Sequence, residues 1–86
     1  MRLLYSREFE KRAKKLPPKT RKKLAGLLIL IARDPFHSQL HTKPLSGMYD
    51  GTYSFRITRD WRVIFQLTEA ETVYLLTVKH RKDIYR

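Results

Sequence analysis

The sequence predicts an α+β domain in which two helices pack on one face of a mainly antiparallel β-sheet. In the N-terminal half, apolar side chains recur at helical spacing, whereas beyond Gly51 they alternate with polar side chains at every second position. No internal repeat or low-complexity segment interrupts these patterns. Residues 1–86 are therefore predicted to form a single domain with the element order β-α-α-β-β-β.

Two helices are predicted after a short first strand around residues 3–5. Ser6 is a preferred N-cap residue for the first helix. Pro17-Pro18 ends that helix and begins the second, which Asp34-Pro35 closes. The apolar stripes of the two helices consist of Phe9, Ala13 and Leu16, and of Leu24, Leu27, Leu28 and Ile31. Residues 35–50 are predicted to be a loop.

The alternation of apolar and polar residues, here called parity, indicates the register of the hairpin that follows. A two-residue turn at 59–60 would pair Arg56 with Val63 and bring a charge onto the apolar face. A three-residue loop instead pairs Arg56 with Arg62, and we expect this register. It sets two arginines side by side on the sheet face away from the helices. Like charges directly opposite each other are destabilising, and an anion bound between them would remove that penalty.

The charge balance predicts a polyanionic partner. Nineteen Lys and Arg residues against eight Asp and Glu residues give a net charge of +11, and such self-repulsion costs stability unless a partner offsets it. RNA is the first choice, with a membrane surface or an acidic protein as the other classes. The absence of cysteine fits a reducing compartment. No apolar run is long enough for a signal peptide or a membrane span, so we expect a cytoplasmic protein with no membrane partner.

The C-terminal segment, together with the paired arginines, suggests a site for cleaving RNA. Metal-independent cleavage needs a proton acceptor for the 2′-hydroxyl, cations for the phosphorane and a donor for the leaving oxygen. His80 can act as acid or base near neutral pH, and Tyr85 can stack on a base or orient a proton transfer. Each residue alone has an ordinary reading as a surface or core-capping side chain. We expect the imidazole to meet the arginines on the sheet face away from the helices, and this combination favours a site.

Metal and cofactor chemistry is not expected. The eight carboxylates are scattered, so they do not suggest the facing cluster of a two-metal nuclease. His37 and His41 lie in the predicted loop without a third ligand. The sequence also contains no phosphate-binding glycine loop and no Ser-His-Asp pattern.

Four segments resemble the RelE/ParE toxins of bacterial and archaeal toxin–antitoxin systems. They read KPLSG at 43–47, YSFRI at 53–57, WRVIF at 61–65 and HRKDIYR at 80–86. The resemblance covers nearly the whole chain and implies the same fold. Its RelE branch implies a ribosome-dependent endoribonuclease that cuts mRNA in the A site. A cognate, acidic antitoxin would hold it inactive, and the toxin alone is expected to be a monomer.

The resemblance also implies roles for individual residues. Arg56, Arg62 and Arg81 would contact the scissile phosphate, Tyr85 would stack on or orient the substrate, and His80 would transfer a proton. The catalytic candidates are thus Arg56, Arg62, His80, Arg81 and Tyr85, and the RNA-binding candidates are Lys43, Ser54, Arg59, Lys79 and Lys82.

Two positions depart from the pattern of the family. RelE-like members often carry two lysines on alternate positions of the second strand, where this chain has Ser54 and Arg56. Other ribonuclease members have a glutamate where this chain has Lys43. The general base therefore remains open, with His80 as the first choice and the ribosome or a water chain as contributors.

Two other functions stay open. The ParE branch shares the fold but poisons DNA gyrase and lacks the nuclease residues, so His80, Arg81 and Tyr85 favour the ribonuclease. A non-catalytic RNA- or ribosome-binding module would use the same charge. Its usual mark, aromatic side chains along the exposed sheet face, is weak in this sequence.

Overall fold

The protein is described by a computed structural model that covers residues 1–45, 51–68 and 70–84. Its elements are β1 (Arg2–Tyr5), α1 (Arg7–Lys14), α2 (Pro18–Arg33), a single 3-10 turn (Ser38–Leu40), β2 (Lys43–Pro44), β3 (Thr52–Arg56), β4 (Trp61–Thr68), β5 (Thr72–His80) and α3 (Arg81–Ile84). The predicted order β-α-α-β-β-β is confirmed for the longer elements. The 3-10 turn and β2 occupy part of the predicted loop, and the short α3 was not predicted.

The strands form one five-stranded sheet in the order β1-β5-β4-β3-β2. β1 runs parallel to β5, and the other three pairings are antiparallel. The prediction of an α+β fold with a mainly antiparallel sheet is therefore correct. The order also makes β5 and β4 central, which brings the C-terminal residues of β5 beside the start of β4.

The core lies between the sheet and the two long helices. Alternate residues of β3 and β4, among them Phe55, Val63 and Phe65, are fully buried against Leu24 and Ile31 of α2. We call this side of the sheet the helix face and the opposite side the outer face. Residues one position away in β3 and β4, including both arginines of the hairpin, therefore belong to the outer face.

The local signals that begin and end the helices act as predicted. The Ser6 hydroxyl accepts a hydrogen bond from the backbone N–H of Phe9 at 2.9 Å and caps α1. α2 begins at Pro18, because a proline at the first helical position loses no hydrogen bond, and it ends at Arg33 before Asp34-Pro35. None of the helices in the described ranges is long and apolar enough to cross a membrane.

Candidate active site

Three basic side chains form a row across three neighbouring strands, at the end of the sheet where the β3–β4 hairpin loop lies. Arg56 of β3 lies opposite Arg62 of β4, and Arg62 lies opposite Lys79 of β5. We call Arg56, Arg62 and Lys79 the cationic row. The predicted three-residue hairpin loop is confirmed, because the backbone N–H of Ile57 donates to the carbonyl of Trp61 at 2.9 Å. Because alternate residues face opposite sides of a sheet, the row lies on the outer face.

A β-bulge between β4 and β5 determines that Lys79 is the third residue of the row. Between β4 and β5 the pairs Ile64–Thr77 and Phe65–Leu75 leave Leu76 without an opposite residue. The extra residue shifts every later pair by one position. A regular ladder continued from Phe65–Leu75 would pair Lys79 with Trp61 on the helix face. The bulge instead brings Lys79 beside Arg62.

The bulge is attached to the start of α1 through Ser6. The Ser6 hydroxyl donates to the carbonyl of Leu76 at 2.6 Å, and its backbone N–H donates to the carbonyl of Leu75 at 3.0 Å. The same hydroxyl oxygen accepts the capping bond from Phe9. One serine thus joins the end of a helix to the irregular point of the central strand.

The guanidinium of Arg62 is buried without compensation. Only 8% of the residue is exposed, and, within the described residues, Nε and Nη1 have no hydrogen-bond partner. A buried donor without a partner costs about 1–3 kcal/mol, and more when the group is charged. Among the described residues, Arg62 is the charged side chain with buried atoms that lack a partner, and it lies in the middle of the cationic row.

Within the described residues, no carboxylate lies close enough to neutralise the cationic row. Across residues 1–45, 51–68 and 70–84, the one carboxylate–cation contact within 4.0 Å joins Glu8 to Arg12 on α1. The cations of the row are therefore not neutralised by acids of the described chain. Because Arg56 is exposed and Arg62 is buried beside it, an anion bound at Arg56 could also supply the missing acceptors of Arg62.

His80 has a different position from the one expected. It pairs with Trp61, and the two rings meet edge to face with centroids 5.1 Å apart. Since Trp61 packs against the core, the imidazole leaves the sheet on the helix face, opposite to Arg62. The expectation that the imidazole shares the outer face with the arginines was wrong. The cause is the bulge, which reverses the parity of the end of β5.

The hydrogen bonding of His80 determines which ring atom is available. The backbone N–H of Lys82 donates to Nδ1 at 3.4 Å. A neutral ring that accepts at Nδ1 carries its proton on Nε2. Nε2 is therefore the atom that can exchange a proton or a hydrogen bond with a ligand at the end of the strand.

Three further predicted site residues lie where α3 meets the hairpin loop. The backbone N–H of Arg81 donates to the carbonyl of Asp60 at 2.7 Å, which fixes the start of α3 beside the loop that carries Arg59. Arg59, Arg81 and Lys82 are all exposed. All three lie beyond the ends of the strands that carry the cationic row.

Two predicted RNA-binding residues lie on the β2–β3 side of the sheet. Lys43 is exposed and pairs with Ser54, which also lies opposite Ile64. Only 1% of Ser54 is exposed, so its hydroxyl has no open surface here. Tyr85 lies outside the described residues.

No group of three or more His, Asp or Glu side chains in the described ranges could hold a metal ion. His37 instead caps the 3-10 turn, where its Nδ1 accepts a hydrogen bond from the backbone N–H of Gln39 at 3.1 Å. His41 ends that turn with a left-handed backbone.

Sequence reasoning missed Ser6 and Trp61 as parts of this region. Ser6 was recognised as a helix cap, but its second bond to β5 depends on the bulge. The pairing of Trp61 with His80 depends on the same shift. β5 is apolar on both faces, so its sequence contained no parity signal from which the shift could be read.

Fold and site together define a class: a small α+β protein with a row of cations that no carboxylate of the described residues neutralises. A family profile described as "YoeB-like toxin of bacterial type II toxin-antitoxin system" matches residues 5–82. The chain therefore belongs to this family of toxins, and the resemblance to RelE/ParE toxins is confirmed. Comparison with curated protein sequences gives no match.

Several solved structures share the fold. The YoeB/ParE toxin from Agrobacterium tumefaciens has a TM-score of 0.80 at 19% identity, covering 94% of this chain and 99% of that one. YafQ from E. coli strain BL21(DE3) has a TM-score of 0.79 at 21% identity, with both chains covered completely. RelE in the RelB–RelE antitoxin–toxin complex from Methanococcus jannaschii has a TM-score of 0.79 at 24% identity, covering 95% of this chain and 94% of that one.

Proposed function

We propose that this toxin is a metal-independent endoribonuclease that cuts mRNA on the ribosome, with the cationic row as its phosphate site. The observation that carries the proposal is Arg62, a buried guanidinium whose Nε and Nη1 find no acceptor among the described residues. A scissile phosphate supplies oxygen acceptors and negative charge to such a group. The exposed Arg56 opposite gives the phosphate a point of entry.

The reaction follows from what these residues offer. The 2′-oxygen of the ribose attacks the adjacent phosphorus, the bond to the 5′-oxygen breaks, and a 2′,3′-cyclic phosphate and a 5′-hydroxyl form. The proton of the 2′-hydroxyl passes to a base, and the leaving oxygen gains a proton. Arg56 and Arg62 stabilise the extra negative charge of the phosphorane. The ring of His80 lies on the other side of the sheet from Arg62, so His80 can exchange a proton through Nε2 only with a part of the RNA that reaches around the end of β5.

The small number of acid–base side chains near the cationic row, within the described residues, supports a role for the ribosome. Within the described residues the chain brings several cations to this region but a single imidazole, and that ring lies on the other side of the sheet from Arg62. A toxin with phosphate-binding groups and few acid–base groups benefits from a partner that aligns the 2′-hydroxyl with the phosphate. Arg59, Arg81 and Lys82 are exposed and available for further contacts with RNA.

A cognate antitoxin is the second partner. Solved relatives of this fold include the RelE–RelB complex from Pyrococcus horikoshii and the DinJ–YafQ complex from E. coli. With a net charge of +11, the toxin favours an acidic antitoxin. We further propose that the free toxin is a monomer that acts in the cytoplasm.

Primer extension on mRNA in a translating extract tests the function. The wild-type toxin should produce cuts within codons, and an Arg62→Ala or Arg56→Ala variant should not. Arg2→Ala, which changes an exposed arginine on the edge strand β1, is the matched control and should cleave normally. Intact message together with broken supercoiled DNA would contradict the ribonuclease and favour a gyrase poison.

A further inference from the structure

The outer face of the sheet carries an aromatic side chain and an aliphatic neighbour at some distance from the cationic row. Tyr74 of β5 lies opposite Leu4 of β1 on one side and opposite Gln66 of β4 on the other. Leu4 is 48% exposed, and Tyr74 and Gln66 are partly exposed. Because the residues on either side of Tyr74 in β5 are buried in the core, the ring of Tyr74 belongs to the outer face.

The β-bulge puts Tyr74 on the same face as Lys79. These two residues are five positions apart, and in a regular strand an odd separation directs two side chains to opposite sides of the sheet. The bulge leaves Leu76 without an opposite residue, so both side chains lie on the outer face. The irregularity that completes the cationic row therefore also brings an aromatic ring to the same side of the sheet.

Tyr74 lies two rows away from the cations. The row between them consists of Ser54, Ile64 and Thr77, which lie opposite one another on β3, β4 and β5. Each row is two residues further along β4, so the pair of Gln66 and Tyr74 lies about 13 Å from the cationic row. A single strand of RNA with a phosphate at the cationic row can therefore extend over the same face to Tyr74.

The strands between and around these rows offer no charge that would repel RNA. As far as the structure describes them, the five strands contain no Asp or Glu. The net charge of +11 adds a general attraction for a polyanion. Charge complementarity along the outer face therefore favours a nucleic acid strand that continues beyond the cationic row.

The polar groups in the row of Tyr74 also lack partners. Within the described residues, neither the Gln66 amide nor the Tyr74 hydroxyl takes part in a hydrogen bond. Thr52 lies opposite Gln66, and its hydroxyl oxygen is buried without a partner. The Gln66 amide has two donors and an acceptor, so it can bond both to Thr52 and to the edge of a base that lies over Tyr74.

We propose that Tyr74 is a stacking platform for one base of the RNA, at a position that does not adjoin the phosphate held by the cationic row. The proposal rests on the proposed function, because it extends that phosphate site along the same RNA strand. The ring of Tyr74 lies against the face of the base, Leu4 enlarges the apolar surface, and Gln66 bonds to the edge of the base. Stacking accepts any base, so the platform aligns the message without selecting a sequence.

Two other occupants fit this surface less well. A second copy of the toxin would bring another +11 charge to the same face, and like-charge repulsion opposes such a dimer. An acidic protein segment would satisfy the cations but has no flat ring in each unit of its chain. A nucleic acid has a phosphate and a flat base in every unit, which matches a row of cations and an aromatic ring on one face.

The test measures binding of a short, fluorescent, single-stranded 2′-O-methyl RNA to the full-length toxin by anisotropy. This probe has no free 2′-hydroxyl and cannot be cut, so binding is measured apart from cleavage. Tyr74→Ala should weaken binding by about tenfold, as loss of one stacked base does, whereas Tyr74→Phe keeps the ring and should bind like the wild type. Tyr5→Ala is the matched control and should also bind normally, because Tyr5 is 44% exposed but stacks on Phe9 at the helix face.

Probes that lack a single base show whether the affinity comes from stacking. For the wild type, an abasic nucleotide at one position of the probe should weaken binding by about tenfold. Tyr74→Ala should bind this abasic probe and the complete probe equally, because the base no longer has a platform. Tyr74→Ala should also keep the wild-type salt dependence of binding, since stacking releases no counterions.

Wild-type affinity of Tyr74→Ala would overturn the proposal, as would an equal loss in Tyr74→Phe or the absence of binding by the wild type. Undiminished RNA binding with weakened antitoxin binding would also overturn it and assign the surface to a protein. Thermal unfolding checks that Tyr74→Ala is folded. If the wild type fails to cleave mRNA but its binding to the probe depends on Tyr74, the nuclease is refuted and the platform stands. If cleavage is observed and Tyr74→Ala binds normally, the platform alone is refuted.

Discussion

Arg62 on β4 lies directly opposite Lys79 on β5, and the β-bulge at Leu76 is what brings them together. Without the extra residue, Lys79 would meet Trp61 on the helix face. Like charges directly opposite each other destabilise a sheet, and here Arg56 extends the repulsion to a third strand. The fold therefore holds an arrangement that is unfavourable until an anion binds, which is the physical basis of the following predictions.

Replacing Arg62 with methionine should stabilise the free toxin while abolishing cleavage. Methionine is of similar length and leaves no charged donor unsatisfied, and a buried donor without a partner costs about 1–3 kcal/mol, or more when the group is charged. Urea unfolding gives the free energy of unfolding, and primer extension gives the activity. The exposed Arg2→Met serves as control and should change neither. A less stable Arg62→Met toxin would mean that the guanidinium is already satisfied in the free protein.

Binding of single-stranded RNA should weaken steeply with salt. Three phosphate contacts from the cationic row predict a slope of about −2 for log K against log salt concentration, since each contact on a single strand contributes about −0.7. Fluorescence anisotropy of a labelled RNA oligomer at several NaCl concentrations measures the slope. Arg56→Ala should reduce its magnitude by about 0.7, and an unchanged slope would remove Arg56 from the phosphate site.

Ser6→Ala should destabilise the protein and loosen the bulge. The hydroxyl caps α1 and also donates to the Leu76 carbonyl, so its loss should cost about 1–2 kcal/mol. Ser6→Thr keeps both bonds and should restore most of the stability. Urea unfolding measures the cost, and hydrogen exchange should show faster exchange of the β5 amides around Leu76 in Ser6→Ala alone. Equal exchange in the two variants would mean that Ser6 does not hold the bulge.

His80→Gln should slow cleavage by about 10²- to 10⁴-fold, the usual contribution of a general acid or base. Imidazole is the side chain that ordinarily changes charge between pH 5 and 8, so the variant should also lose any pH dependence of cleavage in that interval. Single-turnover rates on ribosome-bound mRNA measure both effects. Trp61→Phe keeps an aromatic ring beside position 80 and is the matched control. A wild-type pH profile in His80→Gln would assign the proton transfers to the ribosome.

Much of this protein could be predicted from local patterns. Helical spacing, the serine cap, Pro17-Pro18 and Asp34-Pro35 defined α1 and α2, and period-two alternation defined β3 and β4. Parity was sufficient to pair Arg56 with Arg62, because one face of that hairpin is apolar and the other polar. A slip of one residue would expose the core, so the register has a single acceptable solution.

The same reasoning failed at the end of β5. Residues 73–78 are apolar or nearly so on both faces, since the strand is central. A shift of register by one residue would therefore still leave apolar side chains facing the core. Parity alone could not show that Leu76 is left unpaired, that Lys79 joins the arginines, or that His80 turns towards Trp61. The short β2 and α3 were likewise missed, because two and four residues are too few to show a period.

The sequence by itself determined the α+β fold and the register of the first hairpin, because both follow from residues close together in the chain. It also determined the excess of positive charge, which depends on composition alone. The tertiary structure decided which cations share a face, how deeply Arg62 is buried and on which side the imidazole emerges. Those properties depend on one extra residue in a central strand and on a serine about seventy positions away that holds it. A contact between residues so far apart in the chain produces no periodic pattern in the sequence.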